Sequence, residues 1–163
     1  MKADLEPAGI GGWLILPALG LAISPIWQGI GIVRDILPAT NPGVLRTLSD
    51  PTSDHYSPLW VPTMAFEAVT SVLIFIFTLW LAYLFFIRKS PRVPRLFIVW
   101  LASQVIIRII DQLLVNSLPL AAEQSRSGVM SDLGRSITNA AIWIPYFIWS
   151  IRVKNTFIDT VAA

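Results

Sequence analysis

The sequence predicts an all-α membrane protein: a four-helix transmembrane bundle with both termini in the cytoplasm. Three observations predict it. Of 163 residues, 55% are hydrophobic and only 13% are charged, where a soluble domain carries roughly a quarter of charged residues. The apolar residues are gathered into four runs that approach or exceed the roughly 20 residues needed to cross a hydrocarbon core of ~30 Å. Lys and Arg are concentrated in the pieces that one face of such a bundle would present. A chain of this length makes one transmembrane domain over 1–163 and leaves no room for a soluble side domain.

The four runs are expected as helices over about 12–33, 63–87, 96–118 and 134–151. Backbone polar groups cannot stay unpaired in lipid, so each run must pair its own N–H and C=O groups. The first contains Pro17 and Pro25 and the last contains Pro145, which predict kinks that packed neighbours tolerate. The last is the most polar, with Ser136, Thr138 and Asn139 crowding its beginning. Its predecessor on the chain, the loop 119–133, and the longer loop 34–62 face the outside. Pro38, Pro42, Pro51, Pro58 and Pro62 make 34–62 read as an extended, turn-rich cap. The n-region Met-Lys-Ala-Asp-Leu-Glu-Pro carries more acid than base, and the apolar run after it is too long for a signal peptide. The first run is therefore expected to be a retained helix. No internal repeat of the kind found in many secondary transporters is present.

Orientation follows from the basic residues. With the N-terminus inside, the cytoplasmic pieces hold Lys2, Arg88, Lys89, Arg92, Arg95, Arg152 and Lys154, against Arg34, Arg46, Arg126 and Arg135 outside. The densest group lies in the short loop 88–95, where the positive-inside rule is most reliable. That loop could also hold anionic lipid headgroups. Trp13, Trp27, Trp60, Trp100 and Trp149 fall toward the predicted helix ends and read as interfacial anchors.

Charge inside the third run is the feature that needs compensation. Arg108 and Asp111 lie there, and each charge at membrane depth costs ~2.5–3.5 kcal/mol. At a rise of ~1.5 Å per residue, Arg108 lies ~18 Å and Asp111 ~22 Å from the cytoplasmic start of their helix. Glu67 on the second helix, Gln28 on the first and Asn139 on the fourth come to a similar depth. Gln104, Arg108 and Asp111 share one helix face by their i, i+4, i+7 spacing. Glu67, Thr70, Ser71 and Thr78 form a facing stripe, and Gly20, Ser24 and Gln28 a third, suited to close helix contact. The candidate polar cluster is thus Gln28, Glu67, Gln104, Arg108, Asp111 and Asn139, with Arg108 expected to bridge Glu67 and Asp111. One reading makes it an ion-pair cluster that fixes helix register. The other makes it a site or path for a proton, an ion or an anionic group. With Arg108 between them, Glu67 and Asp111 would both stay ionised and could not share a proton.

Catalysis finds little support. There is no cysteine, so disulfides, thiolate metal sites, cysteine nucleophiles and acylated anchors are excluded. The single histidine, His55, sits in the Pro-rich loop without a partner for acid–base or Ser–His–Asp chemistry. No catalytic, cofactor-binding or metal residues and no cofactor are expected. Twelve Lys and Arg scattered around apolar runs make no nucleic-acid stripe. The expected partners are the lipid bilayer and a membrane protein or a second copy of the chain.

The ends of the chain carry a resemblance. Gly9-Ile-Gly-Gly-Trp-Leu-Ile-Leu-Pro-Ala-Leu-Gly-Leu21 and Ile142-Trp-Ile-Pro-Tyr-Phe-Ile-Trp-Ser-Ile-Arg-Val-Lys-Asn-Thr-Phe157 resemble the opening and closing signatures of the DUF2569 family of small bacterial inner-membrane proteins. Phe66-Glu67 and the basic, Pro-containing hairpin fit the same pattern. The resemblance implies a four-helix, multi-pass protein of a bacterial inner membrane with no established activity, and it supplies no catalytic residues. The glycines and Arg152-Val-Lys154 fall on the same side, where the first and fourth helices are expected to pack or to offer a docking surface. Function is then expected to be that of a non-enzymatic accessory or assembly component acting through helix contacts. The alternative is a small transporter or channel component that uses Glu67, Arg108 and Asp111.

Overall fold

The computed structural model describes residues 8–39, 41–52, 56–118 and 126–158, and every regular element among them is helical. His55 and Lys2 lie outside the described residues. A 3₁₀ turn at Gly12–Leu14 leads into α1 (Ile15–Gly31), which continues through a π-helical turn at Ile32–Ile36 into the short α2 (Leu37–Ala39). After α3 (Pro42–Ser49) comes α4 (Trp60–Tyr83), extended by a second π-helical turn at Leu84–Arg88. The remaining helices are α5 (Val93–Asn116), α6 (Arg126–Trp149) and α7 (Ile151–Thr156).

Among the described residues three helical stretches are long and apolar enough to cross a membrane: Gly12–Ile36, Trp60–Arg88 and Val93–Asn116. The 24-residue α6 matches α5 in length, but its first turns are polar. The polar side chains described there are satisfied along the same helix. Ser136 and Thr138 donate to the Leu133 and Gly134 carbonyls at 2.8 Å, and Arg135 pairs with Asp132 at 3.7 Å. Helix α6 therefore begins eight residues before the expected boundary at 134.

The cap also differs from expectation. Part of 34–62 is helical, because Asn41 caps α3 by accepting from the Gly43 N–H at 2.9 Å and Pro42 fills the first turn, where no donor is needed. Leu45 and Leu48, three apart, are the half-buried residues of α3, which packs on α4. The same logic removes one expected kink. Pro17 stands in the first turn of α1, whereas Pro25 and Pro145 are interior.

The long helices pack in chain order: α1 on α4, α4 on α5 and α5 on α6, while α1 and α6 barely touch along their lengths. What ties the row together is an aromatic knot at the end that carries the 88–95 hairpin. Phe97 stacks on Phe147 at 4.1 Å and 5°. Phe85 meets Phe157 edge-on at 5.0 Å. Around these rings lie Leu14, Ala18, Leu21, Leu81, Val93 and Val153, all buried. Trp100 belongs to this knot and is only 5% exposed, which corrects its expected place at the interface. Its indole N–H donates to the Thr78 hydroxyl at 2.8 Å, and that hydroxyl donates to the Ile74 carbonyl at 2.7 Å. The exposed Trp13 and Trp149 (72% and 73%) remain free to act as anchors.

Both end signatures meet at this knot. Gly9 and Gly12 take positive φ values of 81° and 54°, which glycine alone adopts without strain. The turn they make lays the Ala8 carbonyl against Arg152 Nη1 at 3.5 Å and the Gly9 carbonyl against the Thr156 hydroxyl at 3.2 Å. A Cβ on Gly11 would stand 3.0 Å from Arg152 Nη1. The expected packing of the chain's two ends is thus made by backbone, guanidinium and the Phe157 ring.

A testable consequence concerns the buried Trp100–Thr78 bond. Thr78→Val strands the indole donor, and an unmet buried donor costs about 1–3 kcal/mol. Unfolding in detergent should show a loss in that range for Thr78→Val and little loss for Thr78→Ser, which keeps the acceptor.

Candidate functional site: a polar cleft between the first three long helices

Away from the aromatic knot the helices diverge, and α1, α4 and α5 enclose a cleft of about 320 Å³. Each helix supplies a polar stripe by its own periodicity. From α1 and the π-helical turn come Gln28, Gly31 and Asp35; from α4, Glu67, Thr70 and Ser71; from α5, Gln104, Arg108 and Asp111. Ile32, Ile36, Ile74 and Ile107 separate the stripes. Five of the six residues of the expected cluster, Gln28, Glu67, Gln104, Arg108 and Asp111, are brought together.

Asn139 is not. It lines a second cavity of about 310 Å³ between α1, α5 and α6, with Gln104, Arg135 and Ser136 at a polar end and Leu21, Phe97, Trp100 and Trp143 beneath. The expected single layer shared by four helices is therefore two neighbouring sites, with Gln104 on both. The reason is the weak contact between α1 and α6, which keeps the fourth helix out of the first cleft.

Asp35 joins the site although the sequence reading left it in a loop. The first helix runs through the π-helical turn beyond the expected end at Val33, and the i, i+3, i+7 spacing of Gln28, Gly31 and Asp35 puts them on one face. That spacing was the available signal. Such π-helical turns occur often at functional sites. Arg34 caps Asp35 with two bonds, Nε to Oδ1 at 2.7 Å and Nη2 to Oδ2 at 2.9 Å.

The electrostatics depart from the expected bridge. Arg108 Nη1 lies 3.9 Å from Asp111 Oδ2, and among the described residues Arg108 forms no ion pair with Glu67. The guanidinium thus stands beside Asp111, and Glu67 lines the same cleft without it as an ion-pair partner. Arg108 reaches outward, its side chain 49% exposed, while Asp111 is 7% exposed. Gln28 Oε1 and Asp111 Oδ1 are buried with no hydrogen-bond donor. The Thr70 hydroxyl is spent on the Phe66 carbonyl at 2.7 Å.

Chemically, the cleft offers carboxylate and amide acceptors, amide and hydroxyl donors from Gln28, Gln104 and Ser71, and the Arg108 cation. Among the described residues no three His, Asp or Glu groups are placed to share a metal ion. The arrangement can bind and orient a small polar or charged ligand.

Comparison with known proteins agrees with the resemblance of the end signatures. The family model described as "Protein of unknown function (DUF2569)" matches residues 7–158. The chain is similar to the inner membrane protein YdgK of Escherichia coli (strain K12), 28% identical over 153 residues that cover 94% of this chain and 96% of that protein. No solved structure matches it.

The Arg108–Asp111 pair can be tested by truncation. Removing one partner of a fully buried pair costs 3–5 kcal/mol. Arg108 is half exposed, so Arg108→Ala should cost less, about 1–2 kcal/mol of unfolding free energy in detergent. Arg108→Lys should recover part of it.

Proposed function

We propose, from the premise that this chain belongs to the DUF2569 family of proteins of unknown function, that it is a small-ligand or ion-handling component of a bacterial inner membrane. In this reading it is a four-helix, multi-pass bundle with both termini in the cytoplasm, and it is not an enzyme. Its working part is the polar cleft.

The topology has a geometric support beyond the distribution of Lys and Arg. If α1, α4 and α5 cross in turn, the third crossing ends on the face opposite Gly11. Arg152, just past α6, lies against Gly11 and Gly12. Helix α6 must then run back across the membrane. Both ends of the chain and the basic 88–95 hairpin share one face, which the positive-inside rule assigns to the cytoplasm. The similarity to an inner membrane protein supports the location.

One observation carries the functional reading. A structural ion-pair cluster would be sealed by Leu, Ile and Phe, whereas Glu67, Arg108 and Asp111 line an open cleft with Gln28, Ser71 and Gln104. The opposite half of the bundle is closed by the Phe97–Phe147 stack and its neighbours. The combination makes a site reached from the outer side and shut toward the cytoplasm, as in a binding component or one state of a transporter. The accessory reading rests on a different observation. Gly20 and Ser24 remain uncovered along the second cavity, where α1 and α6 part, and a partner helix could pack there.

The native chain has no cysteine, so single reporters test the site and the topology together. In right-side-out membrane vesicles, a membrane-impermeant maleimide should modify Ser71→Cys in the cleft and Thr52→Cys in the outer loop. Ser90→Cys in the hairpin should react only after lysis. A Ser71→Cys variant that never reacts would remove the open cleft, and a Ser90→Cys variant that reacts in intact vesicles would invert the orientation.

A further inference from the structure

Asp111 is the one charged residue fully buried among the described residues, and its two carboxyl oxygens have different surroundings. Oδ2 faces Arg108 Nη1 at 3.9 Å, long beside the 2.7–2.9 Å of a tight charge-assisted bond. Oδ1 is shut off from water and has no donor at all. A buried carboxylate oxygen in that state is costly unless something donates to it. The other carboxyl group that shares the cleft with Asp111 from a facing long helix is Glu67 of α4. As an anion Glu67 has nothing to donate. With a proton it has one O–H.

Charge counting leads to the same place. The groups facing Glu67 from each packed element are Asp35, with its partner Arg34, from the end of α1, and Arg108 with Asp111 from α5. The described charged side chains of α6, Asp132 and Arg135, pair with one another and do not line this cleft. On α3, Arg46 is exposed and does not line the cleft. Among the described residues three carboxylates thus stand against two guanidiniums, one positive charge short of balance. Two like charges side by side in a low-dielectric site cannot both be kept without that charge. Among the described residues no three acidic or imidazole groups are close enough to share a metal ion. A proton needs no room, which suits an oxygen that water cannot reach.

We infer that Glu67 and Asp111 form a proton-binding carboxyl pair, in which Glu67 carries one exchangeable proton and donates it to Oδ1 of Asp111 while Arg108 balances Oδ2. This rests on the reading of the cleft as a site that water reaches, since exchange needs that path. Release is a simple transfer to cleft water, leaving a Glu67 carboxylate and a hydronium ion. Loss of the proton turns the α4–α5 contact from a hydrogen bond into a repulsion, so occupancy by the proton is linked to how closely those helices approach. The expected ion-pair bridge would have prevented this; its absence permits it.

Infrared difference spectroscopy on the full chain in lipid nanodiscs tests the inference. At neutral pH the wild type should show a protonated-carboxyl C=O band that shifts in heavy water. Glu67→Gln should abolish the band yet unfold at the wild-type temperature, since its amide keeps a donor toward Asp111. Asp111→Asn removes the charge that favours the proton and should shift the band's disappearance to lower pH. Should Glu67→Gln fail to fold, the wild-type band and its Asp111→Asn shift decide the matter. Absence of the band at neutral pH, its survival in folded Glu67→Gln, or its indifference to heavy water would each overturn the inference. A missing band with Ser71→Cys labelled from outside would sink the proton and spare the cleft. A heavy-water-sensitive band with an unreactive Ser71→Cys would keep the proton and sink the open cleft.

Discussion

The stack of Phe97 on Phe147, 4.1 Å apart and nearly parallel, is the contact on which the rest of the arrangement depends. Between apolar helices in lipid there is no hydrophobic drive to associate, because acyl chains are as apolar as leucine. Association must come from close packing and from hydrogen bonds inside the bundle. Both are concentrated at one end: the rings of Phe85, Phe97, Phe147 and Phe157, and the Trp100–Thr78 bond. The glycine turn at Gly9–Gly12 closes that end further, because a backbone without Cβ lets Arg152 lie close against Gly11 and Gly12. Fastening one end tightly frees the other. Where the aromatic rings stop, α1, α4 and α5 separate, and the polar stripes face a cleft instead of one another.

Burial within that cleft is graded, and the gradient gives each charge a distinct task. Asp35 and Arg34 satisfy one another near the mouth. Arg108 stands half exposed, able to attend to Asp111 and to face the cleft. Asp111 is deepest and least solvated, so its state depends on its neighbours more than on water. Screening acts on the first pair and hardly on the last. A ligand arriving in the cleft would first meet an exposed charge and then groups whose charge the bundle itself sets.

Much of this was legible in the residues, for definable reasons. Run length and composition identify α1, α4 and α5, because lipid forces every backbone group into a helix and leaves few alternatives. Helical periodicity put Gln28, Glu67, Gln104, Arg108 and Asp111 on faces that line one cleft, since a face is a local property. What failed was everything that depends on how far apart two helices stand. Asn139 shares the depth of the cluster but not its cleft, because α6 leans on α5 and away from α1. Arg108 shares a face with Asp111 and so pairs with it, while its distance to Glu67 depends on the α4–α5 approach, which no spacing encodes. Trp100 falls within a turn or two of its helix start, as an anchor would, yet its partner Thr78 lies 22 residues away in sequence. Asp35 was lost to a boundary two residues short, and the helix passes that boundary through a π-helical turn.

The asymmetry between the ends bears on what such a small bundle can do. A protein that only needed to persist in the membrane would gain by sealing its charges as it seals its rings, since each polar group left in apolar surroundings without a partner costs free energy. Here Gln28 Oε1 and Asp111 Oδ1 stay without donors, a few side chains from a knot that packs twelve residues into one core. The two halves are linked along the same helices. Thr78 and Leu81 of α4 belong to the knot while Glu67, Thr70 and Ser71 belong to the cleft; Phe97, Trp100 and Leu101 precede Gln104 on α5. A change in the α4–α5 distance at the cleft must therefore act as a lever on Trp100–Thr78, or else bend one of the two helices between them. Neither α4 nor α5 has a proline in that interval, so bending is the costlier response. If the charge state of the cleft sets that distance, the stiff path from Asp111 to Trp100 carries the change to the closed half.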